Sequence, residues 1–155
     1  MKIYLLKSLF ILSALLFIND TVYPQEYPQS KFVISGGFGW PEMGVIKLKY
    51  GEKFQIGVSQ GFMLDTSVEI YYHFAGKPLY ANQRVWYGMA GLEYFYWSWE
   101  GNNWFPYLRF GRTFNLSRRY GLDIDLGAFY LWYEDDFFSN TRFSPSGSFT
   151  FFFRI

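Results

Sequence analysis

Of 155 residues, half are apolar, a quarter are aromatic and 17% are charged, with a mean hydropathy of −0.04. Such a chain is neither a disordered polymer nor a bundle of apolar membrane helices, because aromatic and polar residues are interleaved almost one by one. The lack of cysteine and the single histidine exclude disulfides, thiolate metal sites, cysteine nucleophiles and His-rich metal centres, and a formal charge of +1 offers nucleic acid little to select.

Lys2 and Lys7 bracket or enter an apolar run from Ile3 to Ile18, a charged start and hydrophobic core of signal-peptide length. A helical membrane span needs about 20 residues, so the run is short for one, and an uncleaved anchor helix is the alternative reading. Asn19 to Gln25 is polar and lacks a small-x-small cleavage pattern. Residues 1–25 are therefore read as a signal peptide cut near Gln25, and residues 26–155 as one β-barrel domain. The missing cysteine excludes a lipoprotein signal. Removing residues 1–25 leaves twelve basic and twelve acidic residues, and this neutrality disfavours nucleic acid or another acidic polymer as partner.

From Lys31 onward, period-two alternation recurs between turn signals, with no sustained helical periodicity. The pattern predicts strands over 31–39, 44–50, 54–61, 65–74, 84–97, 104–114, 120–133 and 147–155. The separators are Trp40 to Met43, Gly51 to Lys53, Gly76-Lys77-Pro78, Glu100 to Asn103, Asn115 to Tyr120 and the polar tract Glu134 to Gly147. Short connections between consecutive strands predict an antiparallel up-and-down meander closing into a barrel.

Alternation alone does not say which face is inside, since a soluble barrel that binds a hydrophobic ligand alternates too. Volume decides. One face holds about thirty large apolar side chains, among them Phe32, Ile46, Val58, Ile70, Trp86, Phe110, Trp132 and Phe151, which would overfill the interior of an eight-stranded barrel. They are expected to face outward, into lipid. The other face carries Lys47, Lys49, Arg109 and Arg154 with Glu69, Glu93, Asp123 and Asp125, beside His73, Tyr71, Tyr87, Thr150 and several glycines. Four bases against four acids suit a narrow, filled lumen, because buried charge is costly unless paired. Arg112 and Gln60 fall on the apolar face and are expected near strand ends, where arginine can snorkel.

With its N-terminal segment, eight strands and a last strand Phe149-Thr150-Phe151-Phe152-Phe153-Arg154-Ile155, the chain resembles the small eight-stranded outer-membrane barrels of Gram-negative bacteria, the OmpA/OmpX-like class. The resemblance implies a transmembrane barrel in the cell outer membrane, in contact with lipid and lipopolysaccharide, monomeric and without a cofactor. It also implies that the barrel assembly machinery recognises the terminal strand through Phe149, Phe151, Phe153 and Ile155. Members of the class usually end in an aromatic residue, and Ile155 departs from that.

Outer-membrane barrels include lipid acyltransferases and deacylases that pair a histidine with a serine, which raises His73 as a base with Ser67 or Ser59. Ser67 is six residues away on the same strand, about 20 Å when extended, and neither serine sits in a motif of those enzymes. A lumen or turn histidine is the expected role. Gly36-Gly37-Phe38-Gly39 lacks the following helix that a phosphate-cradling loop needs. Asp123 and Asp125, about 7 Å apart on one strand face, point to pairing with Arg109 rather than to calcium, which wants six to eight oxygens. Glu134-Asp135-Asp136 is expected in the longest loop as a solvated charge run, with cation binding the alternative. No catalytic, cofactor or metal residues are assigned. The expected role is structural or interactive, with a lumen too full to act as a general porin.

Overall fold

The computed structural model describes residues 31–62, 65–80, 83–97, 101–117, 119–130 and 143–155. The signal-peptide reading, Trp132 and the acidic run Glu134 to Asp136 lie outside the described residues. The eight strands are β1 (Phe32–Trp40), β2 (Met43–Gly51), β3 (Phe54–Gly61), β4 (Asp65–Tyr80), β5 (Gln83–Trp97), β6 (Gly101–Asn115), β7 (Tyr120–Tyr130) and β8 (Phe143–Arg154). Each pairs antiparallel with the next, and β1 closes against β8, giving an all-β, up-and-down closed barrel with no helix among the described residues.

Following directly paired residues around the wall leads from Val33 through Lys49, Gly57, Glu69, Gly91, Tyr107 and Phe129 to Ser144. Extending the β8–β1 register returns the path to β1 displaced by about ten residues, a stagger that tilts eight strands by about 40° from the axis. One end of the barrel holds Lys31 and Ile155, and is called here the terminal end. The other holds the Trp40–Met43 turn, and is called the turn end.

Three strand limits extend beyond the pattern-based expectation by three or more residues. β4 runs on to Tyr80, through the Gly76-Lys77-Pro78 segment read as a turn. It keeps pairing with β5 through register shifts after His73, Ala75 and Pro78, irregularities that accommodate proline and a positive-φ glycine. β6 begins at Gly101 rather than 104, because its first residues continue the β5 ladder up to Trp97. β8 begins at Phe143 rather than 147. Its β1 ladder ends at Trp40–Gly147, so Pro145 pairs only with β7 and its missing N–H leaves no gap on the β1 side.

The barrel is built inside out relative to a water-soluble domain. Among the described residues, thirty large apolar side chains are exposed and only ten are buried, whereas the buried set is dominated by polar and charged groups. β8 shows the alternation most sharply: Phe151 is 58% exposed and Arg154 is 5% exposed.

Candidate functional site

The lumen is filled by a polar network laid over aromatic rings. At its middle, the Glu69 carboxylate of β4 accepts from Lys47 Nζ at 3.0 Å, from the Tyr107 hydroxyl at 2.7 Å and from the Tyr71 hydroxyl. Toward the terminal end, Lys49 Nζ donates to Asp123 Oδ2 at 2.5 Å, and the Thr113 hydroxyl donates to Asp123 Oδ1 at 2.6 Å. Toward the turn end, Arg109 Nη2 donates to Glu42 Oε1 at 2.6 Å and Nε to Ser146 Oγ at 3.1 Å, while Nη1 stands 3.6 Å from Asp125. Asp125 accepts from Ser148 and Tyr87. The cations of Lys49, Arg109 and Arg154 lie over the rings of Tyr71, Tyr107 and Phe152, adding cation–π attraction to the ion pairs.

Of the eight charged residues expected in the lumen, all are buried. The structure brings together Lys47 with Glu69, Lys49 with Asp123 and Arg109 with Asp125. Glu93 and Arg154 sit at opposite ends and do not meet. Arg154 donates to Asn115 Oδ1 at 2.9 Å, and Glu93 lies near the carboxyls of Glu42 and Asp65, within electrostatic reach of Arg109. Glu42 and Asp65 are lumen acids that sequence reasoning did not include. Asp65 was legible, being four residues from Glu69 and so on the same face. Glu42 lies in a turn, where alternation says nothing. Its carboxylate folds back over the mouth into space left by Gly39, where a Cβ would stand 2.7 Å from Glu42 Oε2.

Side-chain packing closes the axis. Tyr87 is paired directly with Gly111, and Tyr107 with Gly91, across the β5–β6 ladder. Each tyrosine ring lies over the opposing glycine, on the spot that a Cβ would occupy. Met89, Phe129 and Phe105 pack against these rings. Beside His73, Lys49 and Asp123 a void of about 10 Å³ remains, about the size of one water.

His73 is buried toward the terminal end. Its Nδ1 is 2.7 Å from the Arg84 carbonyl oxygen, to which it donates, and its Nε2 is 3.3 Å from the Gln55 side-chain amide. Ser59 and Ser67 are hydrogen-bonded to each other at 2.6 Å, and Ser67 to the Tyr107 hydroxyl, so the serines and the histidine belong to separate parts of the network.

The outer face is ordered by height. At the terminal end it presents Tyr50, Tyr72, Trp86 and Tyr120 among phenylalanines, with Phe32 against Tyr50 and Phe54 against Tyr72. At the turn end it presents Trp40, Tyr94, Tyr96, Trp104 and Tyr130, with Tyr94 against Trp104 and Tyr130 against Phe143. Between these rings of residues the described outward positions are Ile, Leu, Val, Ala, Gly and Phe, with Gln60, Thr66, Pro106 and Pro145 near the turn end, Arg112 beside Trp86 at the terminal end, and no tyrosine or tryptophan. Gln60 and Thr66 satisfy each other, the Thr66 hydroxyl donating to Gln60 Oε1 at 2.8 Å. From Phe32 to Trp40 the tilted strand rises about 20 Å, close to the height of the apolar band of a membrane barrel. Phe149, Phe151, Phe153 and Ile155 all face outward within this surface.

Comparison with known proteins finds no matching family model, no matching curated protein and no matching solved structure.

Proposed function

We propose that this chain is a small integral outer-membrane β-barrel of Gram-negative type, exported by its N-terminal segment, with a structural or interaction role and a lumen closed to general solute flow. The observation that carries this reading is the sorting of the outer face. Among the described residues, outward tyrosine and tryptophan stand at the two ends, and a band of predominantly apolar side chains separates them. Aromatic rings with a polar edge favour the membrane–water interface, and aliphatic side chains favour the hydrocarbon. In water the same surface would aggregate. The reading makes outer-membrane lipid and lipopolysaccharide the surroundings of the barrel, and the assembly machinery its partner during biogenesis, with β8 as the recognised segment.

The test is expression of the full chain in a Gram-negative host, followed by density separation of membranes and electrophoresis with and without boiling. The expected result is a band in the outer-membrane fraction that shifts on heating. A soluble periplasmic pool without an outer-membrane fraction would overturn the reading.

A further inference from the structure

Among the described residues, six buried acids share the lumen with the four buried bases Lys47, Lys49, Arg109 and Arg154. Two of those acids, Asp65 of β4 and Glu93 of β5, stand together at the turn end, and both are 0% exposed. Across the β4–β5 ladder Glu93 pairs directly with Ser67 and Asp65 with Phe95, which makes the two acids diagonal neighbours on the inner face. The Asp65 carboxyl occupies the space left over Gly61 of β3, and the Glu93 carboxyl reaches it at hydrogen-bond range.

No described N–H or O–H group donates to either oxygen of Glu93. Phe95 and Phe105, the direct ladder partners of Asp65 and Glu93, meet edge to face with centroids 5.5 Å apart and make the flank of the pair apolar. The other charged groups facing Glu93 are Glu42 from the β1–β2 turn and Arg109 from β6. Arg109 is shared between Glu42 and Asp125 of β7. Lys47 of β2 is engaged with Glu69, four residues along β4 from Asp65. These acids do not group as the ligands of a metal ion would among the described residues.

An ionised carboxylate only accepts hydrogen bonds, so two of them in contact need a proton between them. Two ionised carboxylates held together away from water would combine a desolvation cost with like-charge repulsion, and carboxyls that share one site ionise one at a time. We propose that Asp65 and Glu93 hold one proton between them at neutral pH, as a carboxylic acid donating to a carboxylate, so that a pH-sensitive joint ties β4 to β5 at the turn end of the lumen. The proposal rests on the closed barrel and is independent of the membrane reading.

The experiment is urea unfolding of the full chain, folded in detergent micelles, as a function of pH, on the wild type, Asp65→Asn and Glu93→Gln. In the unfolded chain both carboxyls are ionised above about pH 4, so the folded state binds one proton more than the unfolded state at neutral pH. The stability that the proton contributes is complete below about pH 4 and is lost as the pH rises, until the folded pair releases it. The unfolding equilibrium constant of the wild type is therefore expected to rise between about pH 7 and 8 by about tenfold more than that of either variant. In each variant an amide N–H takes the place of the shared proton, so both are expected to fold and to keep the wild-type unfolding midpoint at neutral pH or exceed it. The same pH dependence in all three proteins would overturn the proposal. So would wild-type stability that follows added calcium or sodium in place of pH, since a cation would then fill the gap between the carboxyls. Infrared spectra of the folded wild type at neutral pH give a second reading. The carbonyl band of a protonated carboxylic acid is expected, and its absence would overturn the proposal even where a variant fails to fold.

Discussion

Arg109 on β6 and Glu42 in the turn after β1 meet inside the barrel, Nη2 to Oε1 at 2.6 Å, across 67 positions of sequence. Both are almost fully buried. Removing one member of a buried, hydrogen-bonded pair costs up to about 3–5 kcal/mol where the other charge is stranded, whereas an exposed pair is worth less than about 1 kcal/mol. Arg109 would keep Asp125 at 3.6 Å, but Glu42 gives it the shorter contact. Glu42→Ala is therefore expected to lower the unfolding midpoint far more than Glu52→Ala, which removes the partly exposed pair with Lys31. Urea titration of the folded barrel checks the difference, and equal effects would refute the role given to Glu42.

Tyr87 over Gly111 supplies a packing test. An added Cβ at residue 111 would enter the Tyr87 ring, so Gly111→Ala is expected to cost about 1–3 kcal/mol through overpacking. Truncating the ring relieves that clash, so Gly111→Ala combined with Tyr87→Ala should cost less than the two single changes added together. A double-mutant cycle on unfolding free energies measures the coupling, and strict additivity would contradict the packing described.

Much of this architecture is legible in the sequence because a strand's period of two is a strong constraint. Lys47, Glu69, Arg109 and Asp123 are sorted to one face, and Phe110 and Phe151 to the other, by counting alone. Turn residues obey no such count, which is why Glu42 escaped, and why the lumen appeared balanced at four acids when six are buried. Proline and glycine were misleading for a different reason. Gly76, Pro78 and Pro145 usually end strands, but here they fall where the ladder is irregular or paired on one side. Which acid joins which base depends on the register between strands, and only the closed structure fixes that Lys49 takes Asp123 while Arg109 takes Asp125 and Glu42.

The filled axis predicts electrical silence. Eight strands leave little room, and here Tyr71, Tyr87, Tyr107, Phe129 and the ion pairs occupy it. Purified protein in planar bilayers should give no stable open-channel current. Discrete, long-lived conductance steps would show that the lumen opens.

Deleting Phe149 to Ile155 should prevent assembly altogether. The segment supplies most of the pairing that closes β8 against β1, from Phe38–Phe149 to Val33–Arg154. On the membrane reading proposed above, backbone donors and acceptors on β1 and β7 would then face hydrocarbon, each costing several kcal/mol. The expected outcome is loss of the heat-shifted, protease-resistant form. Recovery of that form from the truncated chain would refute the closure argument.

The ladder's two-residue alternation acts as a reading frame along each strand. Substitutions within either face preserve the frame, provided that the inner face keeps its partners. Inserting a single residue between Arg109 and Arg112 would shift the frame for the rest of β6. Gly111 or Thr113 would turn outward, and Arg112 or Phe114 would turn into the lumen beside Tyr87. Inserting two residues restores the frame and displaces the remainder along the wall. Length changes in the strands should thus be tolerated in pairs and rejected singly, while turns such as Glu52-Lys53, free of the alternation, accept either.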